Sequence, residues 1–265
     1  MSKIAFIGAG KMAEAIIKQL LQGGWASSEE VVIADVDSDR LNEMAAKYGV
    51  KVAASNQAAA ENTPVVLLAV KPQKMQDVLG EIADVVTPQQ VVISIAMGKS
   101  TEFIETLLSP EVPVVRVMPN NPAMVGSAVS VLSYGHFAWE DARETAMDIF
   151  SFLGETYELD ESLQDQAMAL SGCGPAYFYV IAEALCDAAV RLGLDRALAL
   201  KLAAGTMIGS GRMLQETGMN PSVLKDMVTS PGGSTIAALE MLERNALRAA
   251  FYEALAAAWR RAKEV

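Results

Sequence analysis

The 265-residue chain has one histidine and two cysteines. The histidine, His136, follows Tyr134-Gly135 in a stretch that reads as a solvated loop, so the chain is poor in ordinary general acids and bases. Cys173 and Cys186 have no further cysteine or histidine at metal-ligand spacing, so no metal is expected and both read as reduced thiols. Basic residues are also short, 21 against 32 acids, for a formal charge of −11. No Lys/Arg cluster opposes that charge, which argues against nucleic acid or an anionic membrane as partner. No basic segment followed by a long apolar core stands at the start, and no unbroken run of about 18 apolar residues is seen, so neither a signal peptide nor a membrane span is expected. A cytoplasmic protein is the resulting expectation.

What is present is enough apolar material for a core: 52% hydrophobic residues and 20% charged. The first 160 residues alternate short β-rich runs with helical stretches. Strands are expected at Lys3–Gly8, Val31–Asp35, Val50–Ala53, Val65–Val70, Val91–Ile95, Val114–Met118, Ala128–Leu132 and Glu155–Leu159. Several are unbroken Val/Ile/Leu runs, the pattern of strands covered on both faces. The alternation predicts an α/β fold with a mostly parallel, doubly wound sheet. After Asp160 the strands stop and Ala, Leu and Met dominate. Helices are expected at about 162–170, 175–192, 195–217, 221–228, 233–244 and 246–263. The boundary between 1–160, a dinucleotide-binding domain, and 161–265, an all-helical domain for substrate binding and dimerisation, is therefore placed at 160.

The first strand runs into Gly8-Ala9-Gly10-Lys11-Met12-Ala13, a G-x-G-x-x-A turn opening a helix. Such a turn brings backbone close to a pyrophosphate and aims the helix N-terminus at it. Without a nucleotide the same residues are a plain tight turn. Asp35 stands at the end of the second strand, roughly 20 residues on, where a carboxylate accepts hydrogen bonds from an adenosine ribose and repels a 2′-phosphate. Asp37 adds to the repulsion and Arg40 is the cation near enough in sequence to offset it, so the expected cofactor is NADH or NADPH, with NADH favoured. Ligands in such sheets sit beyond the carboxyl ends of the strands. Ala69-Val70-Lys71-Pro72, Ser94–Gly98 and Arg116–Ala123 fall there, either as cofactor loops or as ordinary strand-end turns.

Two segments interrupt the helical half. Ser171-Gly172-Cys173-Gly174-Pro175-Ala176-Tyr177 joins two helices, and Thr229-Ser230-Pro231-Gly232-Gly233-Ser234-Thr235 leads into another. The second offers helix-terminal amides and hydroxyls suited to a small carboxylate, or simply a capped helix start. Cys173 has no histidine nearby in sequence to activate it.

On these segments, together with Phe6–Met12 and Leu224–Thr235, the chain resembles the pyrroline-5-carboxylate reductase family over essentially its whole length. The resemblance implies a Rossmann-type N-terminal domain and hydride transfer from NAD(P)H to the C=N carbon of 1-pyrroline-5-carboxylate, giving L-proline. It implies that Gly8, Ala9, Gly10, Lys11, Met12, Asn56, Ala69, Val70, Lys71, Pro72, Ala96 and Met97 line the cofactor. It implies that Ser230, Gly233, Ser234 and Thr235 hold the substrate, with the Thr235 hydroxyl on the ring nitrogen as the catalytic contact. It also implies a homodimer through the C-terminal helices, with further assembly to decamers. The sequence departs from the family pattern at Asn121 and Ser234, where threonine, or at the second site threonine or alanine, is usual. A protonated cyclic imine is already electrophilic, so a scarcity of histidine agrees with this chemistry. Two other readings use the same layout: a β-hydroxyacid dehydrogenase, for which Lys71 is the nearest proton-handling candidate, and a dinucleotide-binding protein without turnover, which leaves the Thr229–Thr235 segment without a task.

Overall fold

A computed structural model describes residues 2–264. Its strands are β1 Ile4–Ile7, β2 Val31–Ala34, β3 Lys51–Val52, β4 Val65–Leu68, β5 Val91–Ser94, β6 Val114–Met118, β7 Ala128–Tyr134 and β8 Gly154–Glu158. They form one sheet in the order β3-β2-β1-β4-β5-β6-β7-β8. All pairs are parallel except β6 with β7, which run antiparallel with Val117 opposite Leu132. The connection between those two strands holds only the short turn Asn121–Val125. That is too short for a crossover back to a parallel start, so the chain returns antiparallel.

Alternate strand residues feed two cores, as period-two geometry requires. Ile4, Phe6, Ile33, Leu67 and Val117 pack on one face with helices α1 Lys11–Gln22, α2 Ser38–Tyr48 and α6 Glu140–Ser151. Ile7, Val66, Leu68, Val92 and Val114 face the other way, onto α3 Asn56–Ala60, α4 Met75–Ile82 and α5 Thr101–Glu105. Burial on both faces explains the unbroken Val/Ile/Leu runs. β1 has β2 on one side and β4 on the other, so the strand order turns at β1. Ligand crevices of open α/β sheets form at that point, and the glycine turn leaves β1 there.

The chain divides into two compact units, Met1–Cys173 with Ala258–Val265, and Gly174–Ala257. The division falls later than the change in texture at 160, for a physical reason. The buried Arg116 of β6 bonds Glu161 at 3.3 Å and Asp165 at 3.0 Å. The fully buried Gln164 side chain donates to the Val131 carbonyl and the Ser133 hydroxyl. Asn120 then donates to the Ser171 carbonyl at 2.9 Å. Polar groups thus sew the segment 161–173 to the sheet, although its composition belongs to the helical half. The single helix expected at 162–170 is correspondingly broken into a 3₁₀ turn at Glu161–Leu163, α7 at Gln164–Ala167 and a π-helical stretch at Met168–Gly172.

The remaining helices are α8 Gly174–Arg191, α9 Arg196–Thr217, α10 Pro221–Met227, α11 Ser234–Arg244 and α12 Leu247–Ala262. In the second unit α8 and α9 pack side by side, yet α9 buries only Ala199 and Ala203, and α10 and α11 bury nothing. Phe178, Leu192, Ile208, Met227 and Tyr252 stand exposed. One stretch, Glu161–Arg191, is long enough to cross a membrane and holds an 18-residue window apolar enough to do so, of mean hydropathy 1.2, by length and composition only. It is not an unbroken apolar run, since Gln164, Asp165, Gln166, Ser171, Glu183 and Asp187 interrupt it. Its first turns carry the Glu161, Gln164 and Asp165 contacts to the sheet, which spends them inside the first unit.

Candidate active site

The glycine turn begins with a position that only glycine fills well. Gly8 has φ +98°, and a Cβ there would lie 2.6 Å from the Ala69 carbonyl oxygen. β1 and β4 are adjacent, so the turn must pass that close to the start of the 69–72 loop. At Gly10 the situation is reversed: a Cβ would meet nothing within 4 Å. The side of the turn that a pyrophosphate would occupy is therefore open, and a side chain would fill it. Gly10 is the N-cap of α1 and no side chain caps the helix. The amides of Lys11, Met12 and Ala13 have no acceptor within the helix and remain to serve an anion. The residues present thus fit a dinucleotide.

Asp35 lies just past β2, where the sequence places it, but it does more than face a ribose. Its Oδ2 accepts the Ala9 amide at 2.6 Å and its Oδ1 the Asp37 amide at 3.0 Å. Arg40 comes to the same turn from α2. Its Nε donates to the Ala9 carbonyl at 2.8 Å, one terminal nitrogen to Glu43 at 2.6 Å and the other to Glu14 at 2.5 Å. Glu14, buried in the first turns of α1, also accepts Lys47 at 2.7 Å and the Tyr48 hydroxyl at 3.0 Å. Its carboxyl is held at about 2: the Lys47 hydrogen bond pulls it down, burial pushes up, and Arg40 and Tyr48 pull down further. By sequence Arg40 is the cation near enough to offset Asp35 and Asp37; in the structure Glu14 and Glu43 engage its terminal nitrogens. The one signal for Glu14 was an acid set between Ala13 and Ile16 on the buried side of α1.

The other cofactor candidates of the first unit fall at the same end of the sheet. Ala69 and Val70 follow β4 half-buried, Lys71 is exposed, and Pro72 opens a 3₁₀ turn. After β5, Ala96 is buried and Met97 packs on Met118, Met168 and Ala262, with Cys173 beside them. Asn120 fixes this end, accepting the Val129 amide at 3.0 Å while it donates to Ser171. Sequence reading did not single out that role. Asn56 opens α3, but its side-chain amide donates to Glu81 of α4 at 2.7 Å. His136 is exposed against Phe137, Cys173 and Cys186 are free thiols, and no metal-ligating group is found among the described residues.

The hydroxyl-bearing turn belongs to the second unit. Gly232 has φ +67° and Gly233 is the N-cap of α11, with its amide on the Ser230 carbonyl at 3.1 Å. A Cβ at Gly233 would lie 2.5 Å from the Ser230 hydroxyl, which would have to rotate away, and 3.2 Å from the Ser230 carbonyl oxygen. No side chain caps α11. Ser230 and Ser234 are exposed and Thr235 half-buried. Serine and threonine hydroxyls and the first amides of α11 come together on this turn, a donor set suited to a carboxylate.

Across 99% of its length the chain is 41% identical to the pyrroline-5-carboxylate reductase of Methanosarcina acetivorans, covering 97% of that protein. It belongs to the pyrroline-5-carboxylate reductase family. Residues 161–265 match the family model described as pyrroline-5-carboxylate reductase dimerisation. Residues 3–98 match one described as NADP oxidoreductase, coenzyme F420-dependent. The solved reductase of Coxiella burnetii superimposes with a TM-score of 0.91 at 37% identity, over 99% of this chain and 98% of that one. The Plasmodium falciparum pyrroline carboxylate reductase, solved with NADP bound, gives 0.90 at 30% identity, over 99% and 97%. Membership in the reductase family makes the chain an oxidoreductase that uses a nicotinamide dinucleotide.

Proposed function

We propose that this chain reduces 1-pyrroline-5-carboxylate to L-proline, the last step of proline synthesis. The observation that carries the reading is one chain holding both an uncapped glycine turn with an open Gly10 side and an uncapped, hydroxyl-bearing turn before α11. The full-length likeness to reductases of that name supports it.

In this reading the bound dinucleotide supplies the hydride. The amides of Gly10, Lys11 and Met12 bind the pyrophosphate, with Gly8 and Ala9 shaping the turn and Asp35 beside the ribose. Asn56, Ala69, Val70, Lys71, Pro72, Ala96 and Met97 line the rest of the cofactor. Ser230, Gly233, Ser234 and Thr235 hold the substrate, and the Thr235 hydroxyl fixes the ring nitrogen. The protonated imine is electrophilic without help, so orientation does most of the work, worth up to about 7–11 kcal/mol in favourable cases. That is why a chain with one exposed histidine suffices. The domain assignment goes with it: 1–160 binds the dinucleotide, and 161–265 binds substrate and dimerises.

NADH is the favoured donor, since Asp35 and Asp37 flank the ribose position and Arg40 is held by acids. The assembly is a homodimer through the C-terminal helices, extending to a decamer, and the working compartment is the cytoplasm. Thr235→Ala tests the substrate turn. Turnover should fall at least about tenfold, the scale of a lost hydrogen bond to a charged group, with cofactor affinity unchanged. Equal loss of both would mean that the turn does not hold the substrate.

A further inference from the structure

Arg40 has two readings. It can be a cation that receives a 2′-phosphate, or a structural member of the pyrophosphate turn. The contacts separate them. Ala9 is gripped on both backbone groups, its amide by Asp35 at 2.6 Å and its carbonyl by the Arg40 Nε at 2.8 Å. The two terminal nitrogens of Arg40 go to Glu14 and Glu43 at 2.5 and 2.6 Å. The Arg40 side chain is 13% exposed and that of Glu14 9%. A guanidinium held this way presents little of its fork to a phosphate. It does hold the carbonyl of Ala9, the residue next to Gly10, through its Nε. A carbonyl oxygen turned toward the open side of Gly10 would place partial negative charge against the pyrophosphate and spoil the row of amides.

We propose that Arg40 is a positioning residue for the dinucleotide, that it clamps the glycine turn through the Ala9 carbonyl, and that Glu14 is the residue that keeps it there. Arg40 acts on the part common to NADH and NADPH, not on the 2′-phosphate. The proposal rests on the reading that the Gly8–Ala13 turn holds the pyrophosphate.

The test is the dissociation constant of each dinucleotide, by fluorescence titration of the purified full-length protein, with melting temperature measured alongside. Arg40→Ala should weaken NADH and NADPH alike, by about tenfold for a lost charge-assisted hydrogen bond, leaving the ratio of the two constants within about twofold of the wild type. Arg40→Lys keeps the charge but not the fork, and should not restore affinity. Glu14→Gln should weaken both ligands in the same sense by a smaller factor. Loss of NADPH affinity alone would overturn the proposal and make Arg40 a phosphate receptor. A lowered melting temperature with both constants unchanged would also overturn it, as would full recovery with lysine. Gly10→Leu is the control for the underlying reading: unchanged binding of both dinucleotides in that variant would remove the turn itself from the site, whatever Arg40 does.

Discussion

Two glycines of one turn fail for different reasons when a methyl group is added. At Gly8 the added Cβ meets the Ala69 carbonyl at 2.6 Å and the backbone sits at φ +98°, so Gly8→Ala strains the fold itself. Its melting temperature should drop, with a cost of at least about 1–3 kcal/mol. At Gly10 the added Cβ meets no protein atom, so Gly10→Ala should melt like the wild type and lose dinucleotide affinity. A thermal melt and a binding titration on both variants check the pair. The opposite pattern, with Gly10→Ala unstable or Gly8→Ala fully stable, would contradict the geometry. The G-x-G-x-x-A spacing and its strand-to-helix context were legible in the sequence because the whole motif is contiguous, lying between the end of β1 and the first turn of α1. The commitments of Asp35 and Arg40 were not. Arg40 meets Glu43 at i,i+3 spacing on α2, but its reach to Glu14 depends on the approach of α2 to α1, and no spacing rule reports that.

At the scale of elements, α1, α2 and the strand ends between them are tied through Glu14. Its carboxyl titrates at about 2 in the folded protein against 4.5 ordinarily. A depressed folded value means stability that is present above about pH 4.5 and lost as the pH falls toward 2. The size is on the order of 3 kcal/mol, at 1.36 kcal/mol per unit. Denaturant unfolding between pH 7 and pH 2 should show Glu14→Gln less stable than the wild type at pH 7, with the gap closing below about pH 4. A gap independent of pH would show that the network contributes nothing through its charge. All eight strands could be read from the sequence, β1, β2, β4, β5 and β6 most directly, since two-sided burial writes near-continuous apolar runs into the chain there, while β3 and β8 are short or largely exposed. The segment 161–173 could not be placed in the same way. Its composition is that of the helices after it, while Arg116, Asn120 and Gln164 bind it to the sheet through contacts distant in sequence.

For the whole molecule, the second unit is unfinished as a single chain. Phe178, Val180, Leu192, Ile208, Met227 and Tyr252 are each at least 59% exposed. Apolar side chains in such number call for cover. The dimerisation match over 161–265 names a cover, a second copy. Light scattering behind size exclusion should find a dimer or a larger multiple of the 28.2 kDa chain at micromolar concentration. A stable monomer would contradict this. The dominance of Ala, Leu and Met after Asp160 suits close helix packing, but composition alone does not tell packing within the chain from packing against a copy.

The central claim is that this chain moves a hydride from a nicotinamide to a pyrroline carboxylate. The direct measurement mixes purified protein with 1-pyrroline-5-carboxylate and either NADH or NADPH, and follows the absorbance of the reduced nicotinamide together with proline. Oxidation of the dinucleotide should be matched mole for mole by L-proline, with a higher kcat/KM for NADH. Tight dinucleotide binding with no change in absorbance when 1-pyrroline-5-carboxylate is added would contradict it.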